Sequence, residues 1–458
     1  MSENLLIKNV TMLTFFNDGY NAIKIQETDI LIKNGLIAQI DKNIEDSCKT
    51  IDGTGKLAVP GLVNSRSRSL ASKVSKSIAE DVNLDKYGNS PLYTMVNPFL
   101  NISLDILNDE ELKSILEIAL YEAIDSGTTT LLEQCVGREL PLYLELCEEY
   151  GLRTFAAPML MSRKSLPEAD AWGNFDLCLQ EVDEQGIVDW NCSLVEKYKN
   201  NEIVKASMGL GSVDTISESL IAKVAKNAFE SNSILMIPAN ETLREREICQ
   251  ERYGLSPIEV LHKNHALSRK TLLGGLIYTT KEDRRIIKSM SSQAVVCQYQ
   301  GMLDAVLSPF IDFLIDDINT TIGTGRCSIN MLEQLRMSAI AGKLQFGKRY
   351  QMRASDAFYA STEAGGRAVD MKIGRLEEDC KADILLVDLS NPSFHPFALP
   401  VRELIYNTKT SDISEVIING KLLKQGGKVL VADKKDIVMR SEKAMEKVWQ
   451  RARDIGVL

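Results

Sequence analysis

Two arginines, Arg66 and Arg68, stand with one residue between them at the end of an apolar segment that begins at Leu57. Alternate residues of a strand face the same side, so this segment would carry both guanidinium groups to one place. Two positive charges side by side are costly to bury unless an anion neutralises them. We therefore expect either an internal ion pair or a pocket that grips a carboxylate or phosphate of a ligand. Side chains that point outward are the third possibility.

Histidine and cysteine offer little further chemistry. The chain has three histidines, His262, His265 and His395, and nine cysteines without a CxxC pair. His262 and His265 could share a helix face and bind a metal, but we interpret all three as surface, core or loop residues. The cysteines indicate free thiols in a reducing compartment. Cys297 and Cys327 lie near predicted strand ends, where neighbouring arginines would lower the pKa of a nucleophilic thiol.

Length and composition limit the classes of function that the chain can have. The 458 residues suffice for a large barrel and a smaller domain, and 44% of them are apolar. A net charge of -10 argues against a nucleic-acid surface. No apolar run is long enough to span a bilayer, and the segment MSENLLIKN lacks the pattern of a signal peptide. The expectations are a cytoplasmic location and no nucleic-acid or membrane partner.

The hydrophobic pattern predicts an α/β fold of two parts. Residues 5–56 contain short strands with a hairpin signal at Asn34-Gly35. The long central stretch alternates short apolar strands with amphipathic helices, which favours a (β/α)₈ TIM-like barrel over a doubly wound sheet. Strands return after residue 371. We predict a barrel over residues 58–370 and a small β-sandwich built from both chain ends, residues 1–57 and 371–458.

The order of these motifs resembles the amidohydrolase superfamily, in the branch of S-adenosylhomocysteine and methylthioadenosine deaminases, guanine deaminases and triazine chlorohydrolases. The similarity is carried by the segments ILIKNGLIAQI, IDGTGKLAVPGLVNS, EAIDSGTTTLLE, EEYGLRTFAAP, IGRLEEDCKADILLVDL and VIINGKLL. The resemblance implies hydrolysis of non-peptide C–N bonds by a water that a divalent metal activates. It also implies a homodimer or a larger homo-oligomer.

The ligand positions that this resemblance implies do not carry metal ligands. Two histidines on the first barrel strand, one on each of two later strands and an aspartate on the last strand would hold the metal. The corresponding residues are Arg66, Arg68, Pro238, Gly275 and Gly325. Arginine is a poor ligand whose charge repels a cation. We therefore predict a degenerate site with no metal and no cofactor.

Other residues at the implied barrel mouth retain polar chemistry. Glu241 matches the acid/base position of the family, and a second family histidine falls on Tyr278. Arg326 follows Gly325 and could join a charge cluster, although we interpret it as a solvated loop residue. Glu241 could neutralise Arg66 and Arg68 without a metal.

Two functions remain open from the sequence, and enzyme activity is uncertain. The first is a non-hydrolytic pseudoenzyme that binds a small ligand, an anion being one option, or that acts in an assembly. The second is a metal-independent enzyme that reuses the barrel mouth, with Glu241 as base and Tyr278, Arg66 and Arg68 as donors. A divergent hydrolase of the deaminase or chlorohydrolase type is the remaining alternative.

Overall fold

The computed structural model describes residues 4–15, 23–76, 96–165 and 179–456. Twenty strands lie in these ranges, of which the first five and last four belong to one sheet. In chain order they are β1 Leu5–Phe15, β2 Ile23–Lys33, β3 Leu36–Asp41, β4 Lys49–Asp52, β5 Lys56–Pro60, β6 Leu62–Ser67, β7 Thr128–Cys135, β8 Arg153–Pro158, β9 Arg163–Ser165, β10 Leu179–Glu181, β11 Val204–Ala206, β12 Met208–Gly209, β13 Leu235–Ala239, β14 Thr271–Gly275, β15 Gln293–Val296, β16 Thr320–Ile322, β17 Ile384–Asp388, β18 Ile413–Ile418, β19 Lys421–Gln425 and β20 Lys428–Val429.

Both ends of the chain contribute strands to one nine-stranded sheet. Its order is β20-β19-β18-β17-β5-β1-β2-β3, and β4 pairs with β1. The turn between β2 and β3 has Asn34 at φ 53 and Gly35 at φ 76, the left-handed pair that a two-residue hairpin requires. The N-terminal strands are not purely antiparallel, because β1 pairs in parallel with β4 and β5. β5 stays in this sheet to Pro60, past the predicted boundary at residue 57.

The central strands form the predicted barrel. Parallel pairs join β6, β7, β8 and β11 in one sheet and β12 to β16 in the next, and Ser207 alone separates β11 from β12. At the other edge, the backbone N–H of Gly325 donates to Arg66 and its carbonyl accepts from Arg68, at 3.0 and 3.1 Å. The last strand thereby meets the first. Inward side chains such as Val63, Leu132 and Met236 fill the interior as an apolar cluster.

Sixteen α-helices lie in the described ranges, most of them around the barrel. They are α1 Ser69–Val74, α2 Asn97–Ile106, α3 Asp109–Asp125, α4 Glu139–Tyr150, α5 Glu184–Lys197, α6 Glu218–Glu230, α7 Leu243–Tyr253, α8 Pro257–Lys263, α9 Lys281–Ser289, α10 Gln298–Leu303, α11 Phe310–Ile315, α12 Met331–Phe346, α13 Ala354–Ala360, α14 Glu363–Ala368, α15 Pro400–Tyr406 and α16 Lys434–Asp454.

Local sequence explains several helix limits. Asn108 and Glu111 form a reciprocal capping box at the start of α3, and Gly151 ends α4 in the left-handed conformation. The predicted strand QAVVCQY is shorter than expected, because β15 ends at Val296 and α10 begins directly after Cys297. A search of the helices in the described ranges finds none with the length and apolarity that crossing a membrane would need.

Candidate functional site

The carboxyl ends of the barrel strands bring the predicted site residues together. Arg66 is the penultimate residue of β6 and Arg68 precedes α1, and the backbone hydrogen bonds to Gly325 fix both relative to the last barrel strand. Glu241 follows β13, at the same end of the barrel. Ser67, between the two arginines, turns the other way and donates to the carboxylate of Glu133. The alternation predicted for this strand therefore holds, and both guanidinium groups reach the mouth.

Arg66 and Glu241 form a bidentate ion pair in the centre of the mouth. Nη1 and Nη2 of Arg66 donate to the two carboxylate oxygens at 3.1 and 2.8 Å. Nε donates to the side-chain oxygen of Gln134 at 3.0 Å, and Gln300 donates to Oε1 of Glu241 at 2.9 Å. The side chains of Arg66 and Glu241 are only 3% and 8% exposed. Such a pair is stable when buried because each charge is matched and hydrogen-bonded.

The charges of this pair set its protonation. Burial by itself would raise the pKa of Glu241, but the charges of Arg66 and Arg68 outweigh burial and hold that pKa at about 2. Burial would likewise lower the pKa of Arg66, and the carboxylate of Glu241 reverses this and raises it. Both groups are ionised at neutral pH, and Glu241 is a weak base.

Arg68 is buried beside this pair and takes no part in its hydrogen bonds. Its nearest acid in the described ranges is Glu241, whose Oε2 lies 3.9 Å from Nη2. Neither Nε nor Nη2 of Arg68 has a hydrogen-bond partner among the described residues, and Arg68 is 3% exposed. Burial, followed by the like charge of Arg66, lowers the pKa of Arg68 to about 10. Arg68 therefore remains charged at neutral pH while two of its donors are unsatisfied.

The ion pair and Gln300 fill the space beside the glycines at which the family resemblance implies metal ligands. A Cβ added at Gly274, next to Gly275 in β14, would lie 2.7 Å from Cδ of Arg66, and one at Gly275 would lie 3.0 Å from Cβ of Glu241. A Cβ at Gly325 would lie 2.1 Å from Oε1 of Gln300. Pro238, in β13, is buried and has no donor atom. These residues do not fit a divalent metal, because none of them supplies a ligand and the site carries net positive charge.

The three histidines of the chain cannot rebuild that site. His262 lies near the carboxyl end of α8 and His265 follows that helix. Both side chains are exposed. His395 is also exposed, and its Nε2 lies 3.0 Å from the carbonyl oxygen of Leu389. The interpretation of these histidines as surface and loop residues is consistent with their positions.

Arg326 is not the solvated loop residue that its sequence context predicts. It is 7% exposed, and its Nη2 lies 2.6 Å from both carboxylate oxygens of Asp304. Its backbone N–H donates to Oε1 of Gln300, the residue that also contacts Glu241. Arg326 therefore belongs to the same buried network. The cause is the α10 segment, which brings Asp304 over the end of the last strand.

Tyr278 lies at the rim, on the turn after β14. The backbone N–H of Tyr278 donates to the carbonyl of Asn240 at 2.9 Å, and Arg246 donates to the carbonyl of Tyr278. Burial, aided by the charge of Asp304, raises the pKa of the Tyr278 hydroxyl. The neutral phenol could donate to a group in the mouth, but it is not poised to lose its proton.

The two cysteines near the mouth do not have the lowered pKa expected beside arginines. Burial raises the pKa of Cys297, and the opposing charge of Arg66 is too weak to reverse this. Burial also raises the pKa of Cys327, to about 11. Both thiols are protonated at neutral pH, so the nucleophilic role loses its main support.

The sequence did not point to several partners of the arginines. Gln134 in β7, Gln300 in α10 and Asp304 after α10 have no local motif that marks them. Alternation along TTTLLEQC would have placed Gln134 on the inward face with Leu132, which is the one available signal.

A second cluster of potential metal ligands lies in β7 and at the start of α4. Oxygen or sulfur atoms of Glu133, Cys135 and Glu139 lie within 4.8 Å of one another, and all three residues are buried. Glu133 accepts from the backbone N–H and the hydroxyl of Ser69, and Glu139 accepts from the backbone of Val136 at 2.8 Å. Burial raises the pKa of Glu133 to about 7, and burial together with the charge of Glu133 raises that of Glu139 to about 8.

Comparisons with known proteins extend over nearly the whole chain. The profile of the "Amidohydrolase family" matches residues 60–423. The 5-methylthioadenosine/S-adenosylhomocysteine deaminase of Aquifex aeolicus is 27% identical over 98% of both chains. The 5'-deoxyadenosine deaminase of Methanosphaera stadtmanae is 26% identical over 98% of this chain and 100% of its own.

Solved structures support the fold. An adenosine deaminase from Xanthomonas campestris with bound zinc superposes with a TM-score of 0.86 at 17% identity, covering 97% of this chain and 98% of the other. The atrazine chlorohydrolase of Arthrobacter aurescens complexed with zinc gives a TM-score of 0.85 at 22% identity, with 96% and 100% covered. Similarity at these identities establishes the TIM-barrel architecture and leaves the chemistry to the site itself.

Proposed function

The chain belongs to the amidohydrolase family, and we propose that it is a non-hydrolytic member in which an internal ion pair stands where the catalytic metal would lie. The observation that carries this proposal is the bidentate contact between Arg66 and Glu241. Relatives named as deaminases hydrolyse C–N bonds, and related structures contain zinc. In this chain a guanidinium group occupies the place of the cation and neutralises the acid/base residue.

Electrostatics support the absence of a metal at the mouth. Arg66, Arg68 and Arg326 bring three buried positive charges to this end of the barrel. Glu241 and Asp304 supply two negative charges, and both carboxylates are already held by arginines. A divalent cation would meet repulsion from Arg68 and would have to displace Arg66 from its carboxylate. No histidine is available to offset that cost.

A metal-independent reaction at the same residues has less support. A general base works best when its pKa is near the working pH, and the pKa of Glu241 is about 2. The phenol of Tyr278 has a raised pKa, as do the nearby thiols of Cys297 and Cys327. The arrangement is suited to holding charge rather than to moving protons.

One observation favours a second candidate, a metal-dependent hydrolase that uses different ligands. Glu133, Cys135 and Glu139 place three donor atoms close together. However, the two oxygens of Glu133 are engaged by Ser67 and Ser69 at the start of α1. These contacts favour a structural role in which the carboxyl groups cap the short helix that follows Arg68.

Metal analysis and a deaminase assay test the proposal together. We expect purified protein to contain no stoichiometric zinc or iron. We also expect no ammonia release from 5-methylthioadenosine, S-adenosylhomocysteine or 5'-deoxyadenosine, with or without added zinc. Metal-dependent release that Glu241→Gln abolishes would overturn the proposal. Bound metal that is lost on Glu139→Gln and kept on Glu241→Gln would instead favour the second candidate.

Assembly is a separate proposal. The family resemblance predicts a homodimer or a larger homo-oligomer, and a cytoplasmic location stays a prediction from composition. Light scattering of the purified chain measures the first, and a monomer at micromolar concentration would contradict it.

A further inference from the structure

Among the residues that the structure describes, the buried charges at the barrel mouth do not balance. Arg66 is matched by Glu241 and Arg326 by Asp304, each through two contacts to the carboxylate. Arg68 is left over, 3.9 Å from a carboxylate that Arg66 already holds. An unmatched buried charge costs several kcal/mol unless an anion joins it.

The unsatisfied donors of Arg68 form one edge of its guanidinium group. Nε and Nη2 are the two nitrogens without a partner, and their N–H groups point the same way, spaced for the two oxygens of a carboxylate. Arg153 shows the same edge when it is occupied. Its Nε and Nη2 each lie 3.0 Å from one oxygen of Asp383. Arg68 thus has the donor arrangement of a carboxylate site without the carboxylate.

We propose that the Nε/Nη2 edge of Arg68 binds the carboxylate of a small organic acid, and that this is the ligand of the barrel mouth. The inference rests on the proposed function, since Arg68 can bind the ligand only if the mouth holds no metal. It divides the two arginines by role. Arg66 closes the metal position by pairing with Glu241, and Arg68 recognises the ligand.

Charge and shape favour a carboxylate over other anions. One positive charge is unbalanced among the described residues, so a monoanion neutralises the site, whereas the dianionic form of phosphate would leave excess negative charge. A planar carboxylate also satisfies both donors of the edge at once, which a spherical halide cannot do.

Glu241 and Glu139, two acids of the described ranges that act on Arg68, do not take this place. Glu241 already accepts three hydrogen bonds, from Arg66 and Gln300. The charge of Arg68 acts on Glu139, yet burial and the charge of Glu133 keep the pKa of Glu139 at about 8. Glu139 is therefore mostly protonated at neutral pH, and a protonated carboxyl group adds no negative charge. Its Oε1 has no hydrogen-bond partner among the described residues.

Ligand-dependent thermal unfolding of the full chain tests the inference. The probes are the sodium salts of formate, acetate, propionate and benzoate, compared with sodium chloride and sodium phosphate at equal ionic strength. We expect at least one carboxylate to raise the melting temperature of the wild type above its value in chloride. Arg68→Met should abolish this rise, and Arg68→Lys should weaken the apparent affinity by at least ~10-fold because a single ammonium cannot form the two-pronged contact.

Arg285→Met is the matched control. Arg285 is exposed, with a surface pair to Glu282, so the variant makes the same change in net charge and should keep the full carboxylate response. Without any carboxylate, Arg68→Met should melt at or above the wild-type temperature, because it removes the unmatched charge.

Three results would overturn the inference. They are a wild type that responds to no carboxylate beyond chloride, an Arg68→Met variant that responds as strongly as the wild type, and a phosphate response larger than that of every carboxylate. Metal content measured on the same samples separates this failure from failure of the proposed function. Metal-free protein without carboxylate binding refutes the ligand and leaves the non-hydrolytic assignment standing, whereas stoichiometric metal at Glu241 refutes both.

Discussion

Replacing Arg66 with methionine measures how much the internal ion pair contributes to stability. The substitution removes the charge that holds Glu241 ionised but keeps an unbranched apolar side chain in the space beside Gly274 and Gly323. The pKa of Glu241 is about 2, against an ordinary value of 4.5. At ~1.4 kcal/mol for each pKa unit, this difference corresponds to ~3 kcal/mol of preferential stabilisation of the carboxylate.

The loss on substitution should be at least of that size. Removing one partner of a buried pair leaves the other uncompensated, at a typical cost of ~3–5 kcal/mol. Arg68 recovers little of it at the observed distance of 3.9 Å. We expect Arg66→Met to lower the free energy of unfolding by ~3–5 kcal/mol at pH 7.

Urea unfolding followed by tryptophan fluorescence and circular dichroism measures the effect. Combining Arg66→Met with Glu241→Gln completes a double-mutant cycle, and the double variant should lose less than the sum of the two single variants by ~2–3 kcal/mol. Arg285→Met, on the surface, should change stability by less than ~0.5 kcal/mol. A loss below ~1 kcal/mol for Arg66→Met, or strict additivity with Glu241→Gln, would refute the ion-pair reasoning.

Three further predictions concern the surroundings of the mouth. The pKa of Glu139 in the folded chain is about 8 and that of Glu133 is about 7, both above the ordinary value of 4.5. The stability that these two groups contribute is therefore complete below pH 4.5 and is lost as pH rises towards 8. Glu139→Gln should flatten this fall in the free energy of unfolding, and an unchanged pH profile would contradict the assignment. Cys327 has a pKa of about 11, so iodoacetamide should label it at pH 7 no faster than it labels a buried thiol. Rapid labelling of Cys327 in the native protein would contradict a protonated, shielded thiol. Gly325→Asp introduces the aspartate that the family resemblance implies, but it should destabilise the fold by ~2 kcal/mol or more. Gly325 has φ 67, and an added Cβ would lie 2.1 Å from Oε1 of Gln300. Chemical denaturation measures this loss, and Gly347→Asp, at an open left-handed position with φ 62, is the control that separates the steric cost from the backbone cost.

Order and spacing of local motifs were enough to predict the architecture. Alternating apolar strands and amphipathic helices indicated a barrel, and the Asn-Gly turns marked hairpins at both ends of the chain. These signals are local, since period, turn residues and caps act within a few residues. Segments without such a signal were less well predicted, as where α10 begins at Gln298 instead of a continued strand.

The sequence by itself also predicted which groups the mouth lacks. Arg66, Arg68, Pro238, Gly275 and Gly325 stand where the family resemblance implies metal ligands. This prediction needs no coordinates, because a proline or a glycine has no side-chain atom that can bind a metal in any conformation.

Only the tertiary structure decided how the remaining charges are paired. Arg66 and Arg68 are equivalent in sequence, yet Arg66 contacts Glu241, 175 residues away, at 2.8 Å, while Arg68 lies 3.9 Å from it. Arg326 looked solvated until the fold placed Asp304 against it, and the thiols looked activated until burial outweighed the nearby arginines. Hydrogen bonds and desolvation depend on distances of a fraction of an ångström between strand ends that are far apart in the chain, and the fold alone sets those distances.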